Sequence, residues 1–146
     1  VMRFLSGYSK AVGQIKSIKD PTLTEILEQR EPDRFNNFVK RYVQDGAKIV
    51  ETGGVTLAQL MSQTFFLNLW PGRIHFVGRV EVFFNSVAHL QSLLGVNLTV
   101  PEHLTLRESD IDVDLLKDRN ESLQLLHDYF REELKMFGYT PLSGFH

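Results

Sequence analysis

The sequence predicts an α/β chain, mostly helical, with one or two strands. Three observations carry this. Ile74, Phe76 and Val77 form a short apolar run launched by the turn Trp70-Pro71-Gly72 and stopped at Gly78, the pattern of a buried strand. Apolar residues at helical spacing flank the run, upstream from Phe4 to Ile15 and downstream from Phe83 to Leu94. An apolar strand set between helices is the pattern of a parallel sheet covered on both faces. A single strand is not stable alone and parallel pairing needs a crossover unit, so strand neighbours are expected outside this chain.

Each element has its own signal. Phe4, Tyr8, Val12 and Ile15 share one face of a first helix, weakened by Gly7 and Gly13. Its pattern starts at once after Val1 with no polar lead, as expected of a chain cut from a longer one. Asp20-Pro21 breaks the chain, and Thr22-Leu23-Thr24-Glu25 reads as a capping box opening a short helix. Glu31-Pro32-Asp33 opens a third helix with Phe35, Phe38, Val39 and Tyr42 as its buried stripe and Gly46 as its stop. Asp45 to Gly54 reads as a loop in which Lys48-Ile49-Val50 is the candidate second strand.

A second capping box, Thr56-Leu57-Ala58-Gln59, with Val55 and Leu60 as a hydrophobic staple, starts a helix running toward Asn68. Beyond the strand, Phe83, Val87, Leu90 and Leu94 mark a helix that Gly95 ends. Val96 to Asp114 is expected to be a long surface connection, with a turn of helix near Leu115. Asn120 caps a last helix whose stripe is Leu123, Leu126, Phe130, Leu134 and Phe137, with Gly138 at its end. No repeat or linker divides residues 1–146, so one domain is expected.

Composition narrows the function classes. The chain has 146 residues, enough to bury a core, and its 42% hydrophobic and 23% charged content is that of an ordinary globular protein. A net charge of −2 with no Lys/Arg stripe gives no electrostatic case for nucleic acid. No apolar run approaches the ~20 residues that span a bilayer. Cysteine is absent, which excludes disulfides and thiolate metal sites and favours a reducing compartment. The sequons Asn97-Leu98-Thr99 and Asn120-Glu121-Ser122 point the other way.

Three islands, in order, resemble the sulfotransferase family that uses 3′-phosphoadenosine-5′-phosphosulfate (PAPS), in particular its carbohydrate-modifying branch. Arg3-Phe4-Leu5-Ser6-Gly7-Tyr8 is similar to the end of the family's 3′-phosphate motif, an Arg-Asp-Pro triplet followed by Arg, Phe/Leu, Ser and Tyr. His75-Phe76-Val77-Gly78-Arg79-Val80-Glu81 and the helix closing on Leu93-Leu94-Gly95 resemble the family's strand and following helix. Phe137-Gly138-Tyr139 resembles the family's terminal signature, and Gln63 matches a family glutamine. The resemblance covers nearly the whole chain but only about the second half of the family domain. It implies the C-terminal portion of a P-loop-like, three-layer sulfotransferase domain. The Arg-Asp-Pro triplet, the loop cradling the 5′-phosphosulfate and the usual catalytic base would then lie upstream of Val1. A membrane-anchored relative would work in the Golgi lumen and a bacterial one in the cytoplasm.

The resemblance implies PAPS as sulfonate donor, a hydroxyl of a carbohydrate as acceptor, and Ser6, Arg3 and Arg79 as cofactor-binding residues. Ser6 offers a hydroxyl donor near a helix start, where phosphate is favoured; the other reading is a hydroxyl on an exposed helix face. Arg3 holds the cofactor or bridges to a carboxylate. Arg79 follows the strand end, where ligands gather in open sheets, or pairs with Glu81. Glu81 is read as a helix-start acid and Tyr8 as core. Asp110, Asp112, Asp114 and Glu121 mimic a calcium loop, but Leu115 stands where its sharp turn needs glycine, so no metal is expected. His75 is expected to point away from the core, and His89 and His127 have no partner nearby in sequence. No catalytic residue can be assigned. The leading expectation is a sulfotransferase portion, and the rival is a complete, non-enzymatic helical interaction domain.

Overall fold

The apolar stripe that begins at Phe4 folds as α1 (Met2–Gly13), burying Phe4, Leu5, Tyr8 and Ala11, with Val12 packed against the same core. The structure, a computed structural model, describes residues 2–53, 60–68, 72, 74–101 and 113–140. A 3₁₀ turn at Ile15–Ser17 leads to α2 (Pro21–Glu28). Its N-cap is Asp20 rather than Thr22: the Asp20 carboxylate accepts from the Leu23 N–H at 3.1 Å, and Pro21 takes the first helical position, where no N–H is needed. Asp20 also pairs with Arg41 at 3.5 Å. Asp20→Ala is expected to cost about 1–2 kcal/mol of stability through the lost cap, and Asp20→Asn clearly less. Urea unfolding of the two variants checks this.

The third stripe forms α3 (Asp33–Gly53), in which Phe35, Phe38, Val39 and Tyr42 are all fully buried. Gly46 does not stop this helix. The backbone kinks at Asp45 (φ −136°, ψ 34°) and the helix resumes. The expected loop with a Lys48-Ile49-Val50 strand is therefore helical. Ile49, two turns beyond Tyr42, extends the buried stripe, and helical period prevails over local β-propensity. The capping box at Thr56 and its staple partner Val55 lie outside the described residues. Leu60 is buried in the core, and α4 (Gln63–Asn68) follows.

A 3₁₀ turn at Val113–Leu116 falls where a turn of helix was expected near Leu115. The last stripe is two helices, α6 (Asn120–Tyr129) and α7 (Arg131–Met136), which meet at Phe130 (φ −96°, ψ 14°). The N-cap of α6 is Arg119, one residue before Asn120, and no side chain caps it. Leu116, Leu123 and Leu126 complete a core shared with α1, α2 and α3.

The chain divides into two units. The first is Val1–Phe65 with Ser109–His146, and it holds this core; the second is Phe66–Glu108. In the second, an irregular segment over residues 74–79 enters a 3₁₀ turn (Val80–Val82) and α5 (Phe83–Leu94). Gly95 ends α5 at φ +67°, a left-handed conformation that favours glycine, and its N–H returns to the Gln91 carbonyl at 2.9 Å. The stripe of α5 buries none of its residues fully, and Phe84 and Leu94 are exposed.

The expected α/β class is thereby corrected. Among the described residues every regular element is helical, and neither a strand, a sheet nor a P-loop-like three-layer arrangement is formed. Residues 74–79 form no regular element; Arg79 is extended, at φ −109° and ψ 130°, but extension alone does not make a strand. A strand's backbone groups are satisfied across a ladder, and no second strand is present among the described residues to supply one. Ile74 and Val77 are exposed rather than buried in a sheet.

Candidate functional site

The first motif island opens α1. Arg3, on its first turn, donates from Nη1 to the Met61 carbonyl at 2.7 Å, so it bridges to backbone. Ser6, one turn on, is half-buried, and among the described residues its hydroxyl makes no hydrogen bond. Gly7 lies against Leu60: a Cβ on Gly7 would stand 2.6 Å from Leu60 Cδ2. Tyr42 donates from Oη to the Leu60 carbonyl. Glu133 on α7 accepts from the Ser62 hydroxyl at 2.6 Å and from the Gln63 N–H at 3.1 Å. Burial pushes the Tyr42 phenol well above its usual range; Tyr129 and Glu133 add to this, and Arg3 opposes it.

A second cluster surrounds Glu31 in the same unit. Tyr8 donates to Oε1, which also takes the Arg34 Nε at 3.1 Å. Oε2 accepts from the Phe35 N–H at 3.3 Å and from Arg119 Nη1 at 3.2 Å. Arg34 Nε reaches the Tyr8 oxygen as well, at 3.0 Å, and Arg119 stacks 5.3 Å over the Phe35 ring. Burial alone would raise the Glu31 carboxyl, but the Tyr8 and Arg34 bonds, the Phe35 N–H and the Arg119 charge outweigh it and hold it below its ordinary value. Burial first, and then the bond to Glu31, push the Tyr8 phenol above its range. A carboxylate held ionised by so many donors is poorly suited to proton transfer. It ties α1 and α3 to the entry of α6, and Tyr8 is core, as expected, at 2% exposure.

Arg79 belongs to the second unit and is exposed. Its N–H donates to the Ser86 hydroxyl at 3.0 Å, and its carbonyl accepts from that hydroxyl at 3.3 Å, which ties the segment before the 3₁₀ turn to α5. Of the three expected cofactor residues, the first unit brings Arg3 and Ser6 onto one helix, and Arg79 is placed in the other unit. Glu81 sits in the 3₁₀ turn before α5, at a helix start as expected. His75 is exposed, His89 stacks on Phe76 at 5.5 Å, and His127 is half-buried on α6, where burial lowers its imidazole against the pull of Asp128.

Asp110 and Asp112 lie outside the described residues. Asp114 pairs with Lys117 at 2.7 Å and Glu121 with Lys40 at 3.3 Å. Among the described residues no group of three metal-ligating side chains occurs. Among them, too, no helix is long and apolar enough to cross a membrane.

Sequence reasoning passed over Glu31, Arg34, Arg119, Tyr42 and Glu133. The Glu31–Arg34 pair carries a local signal, spacing i,i+3. Arg119 stands 88 residues from Glu31 and Ser62 stands 71 from Glu133, so no local pattern announces them. Comparison with family models, with curated proteins and with solved structures gives no match.

Proposed function

We propose that this chain is part of a PAPS-dependent sulfotransferase, which moves a sulfonate to a hydroxyl of a carbohydrate acceptor. The observation that carries the proposal is the agreement of all three motif islands with the punctuation of the chain. The first opens α1. The second spans the segment that leads into the 3₁₀ turn and the entry to α5. The third straddles the end of α7, with Gly138 at φ +68°. Ser6 supports it further, as a hydroxyl with spare donor capacity near the N-terminal end of a helix with no acidic residue in its first turn. Sulfuryl transfer makes the same demands of positioning and charge stabilisation as phosphoryl transfer, and in this proposal Ser6 meets one of them, contact with the nucleotide 3′-phosphate.

The all-helical architecture of the described residues favours a second reading, a non-enzymatic helical interaction domain. Binding of 3′-phosphoadenosine 5′-phosphate separates the two. The sulfotransferase reading expects calorimetric binding that Ser6→Ala weakens about tenfold, the scale of one hydrogen bond to a charged group. A chain with cooperative unfolding and no affinity for the nucleotide supports the interaction domain instead.

A further inference from the structure

We infer that Arg3 is a positioning residue: with Tyr42 and Glu133 it latches the segment Leu60–Gln63 along the face of α1 that borders Ser6. The inference rests on the phosphate-contact role proposed above for Ser6. Four consecutive residues are held by side chains of three helices. Tyr42 of α3 binds the Leu60 carbonyl, Arg3 of α1 the Met61 carbonyl, and Glu133 of α7 the Ser62 hydroxyl and the Gln63 N–H. Arg3 and Gly7 are four residues apart and share one face of α1. Met61 is held at the Arg3 end of that row and Leu60 packs at the Gly7 end, where any larger side chain would meet Leu60 first. The segment therefore runs along the Arg3–Gly7 row. Ser6, next to Gly7 and three residues from Arg3, lies at its border.

This gives Arg3 a task other than phosphate contact. Its Nη1 donates to the Met61 carbonyl, and what that bond delivers to Ser6 is a fixed neighbouring wall. Arg3 and Glu133 both act electrostatically on Tyr42, one lowering and one raising its phenol, which places the three latch groups in one neighbourhood.

The test uses the whole chain and two readouts: amide hydrogen exchange over residues 60–65, and affinity for 3′-phosphoadenosine 5′-phosphate at low and high salt. Arg3→Gln, Tyr42→Phe and Glu133→Gln are each expected to speed exchange at residues 61–63 about tenfold, the scale of one lost hydrogen bond. Each should also weaken the nucleotide several-fold while leaving its salt dependence as in the native chain. Arg3→Lys, which keeps a donor, should recover part of both. Ser6→Ala should weaken binding and leave exchange unchanged.

Unchanged exchange in Arg3→Gln overturns the latch. Faster exchange with native affinity overturns the positioning role. So does a loss of affinity accompanied by reduced salt dependence, which marks direct contact between Arg3 and a phosphate. A native chain that binds no nucleotide overturns the proposed function, and the positioning role falls with it.

Discussion

Phe38→Ala is expected to destabilise the chain by about 3–5 kcal/mol, the range for truncating a fully buried phenylalanine. Phe38 has no exposed surface, and its ring lies 5.1 Å from Tyr8 and 5.9 Å from Phe4. Removing it leaves a cavity at the crossing of α1 and α3, where the surrounding aromatic rings cannot all relax inward. Phe84→Ala serves as the comparison. Phe84 also belongs to an apolar-rich helix, but it is 64% exposed, so its truncation should cost less than about 1 kcal/mol. Urea denaturation of both variants measures the difference. A Phe84→Ala loss as large as that of Phe38→Ala would show that α5 packs into the stabilising core.

Glu31→Gln is expected to cost about 2 kcal/mol, because four donors then face a neutral amide in a half-buried site. The side chains of Glu31, Arg34 and Arg119 are 25%, 26% and 12% exposed, which is enough shielding for the charges to matter and too much water contact for the full penalty of a buried pair. The pH dependence gives a second signature. The Glu31 carboxyl sits below its ordinary value of 4.5 in the folded chain. Its contribution is therefore complete above that value, and it is lost as pH falls from there through the depressed folded value. As pH falls below 4.5, Glu31→Gln should lose stability less steeply than the native chain. Parallel pH profiles for the two would rule out the ionised carboxylate as the tie between Arg34 and Arg119.

Much of the helical framework is legible in the sequence because it depends on residues within one or two turns of each other. The stripe Phe35, Phe38, Val39 and Tyr42 is fully buried, as its spacing requires. Asp20-Pro21 starts α2, although the cap proves to be Asp20 itself, and Gly95 ends α5 where its freedom at positive φ is needed. The same locality explains the errors at Gly46 and Phe130. A glycine marks a weak point in a helix, but tertiary packing decides whether the chain stops there, kinks or continues.

The candidate site was legible only in part. Ser6 and Arg3 stand out through a motif, whereas the Arg3 partner is a carbonyl 58 residues away that no pattern of residue types can indicate. The strand shows the limit most clearly. Residues 74–77 have the composition of a strand, yet a strand is a relation between two segments, and residues 74–79 form no regular element. Period and capping act between near neighbours, so the starts of most described helices and the buried stripe of α3 follow from residues close in sequence. The gathering of Tyr8, Arg34 and Arg119 around Glu31, and the hold of Arg3 on a backbone segment, depend on groups brought together from distant parts of the chain. So does the outcome that the apolar run from Ile74 to Val77 has no ladder among the described residues.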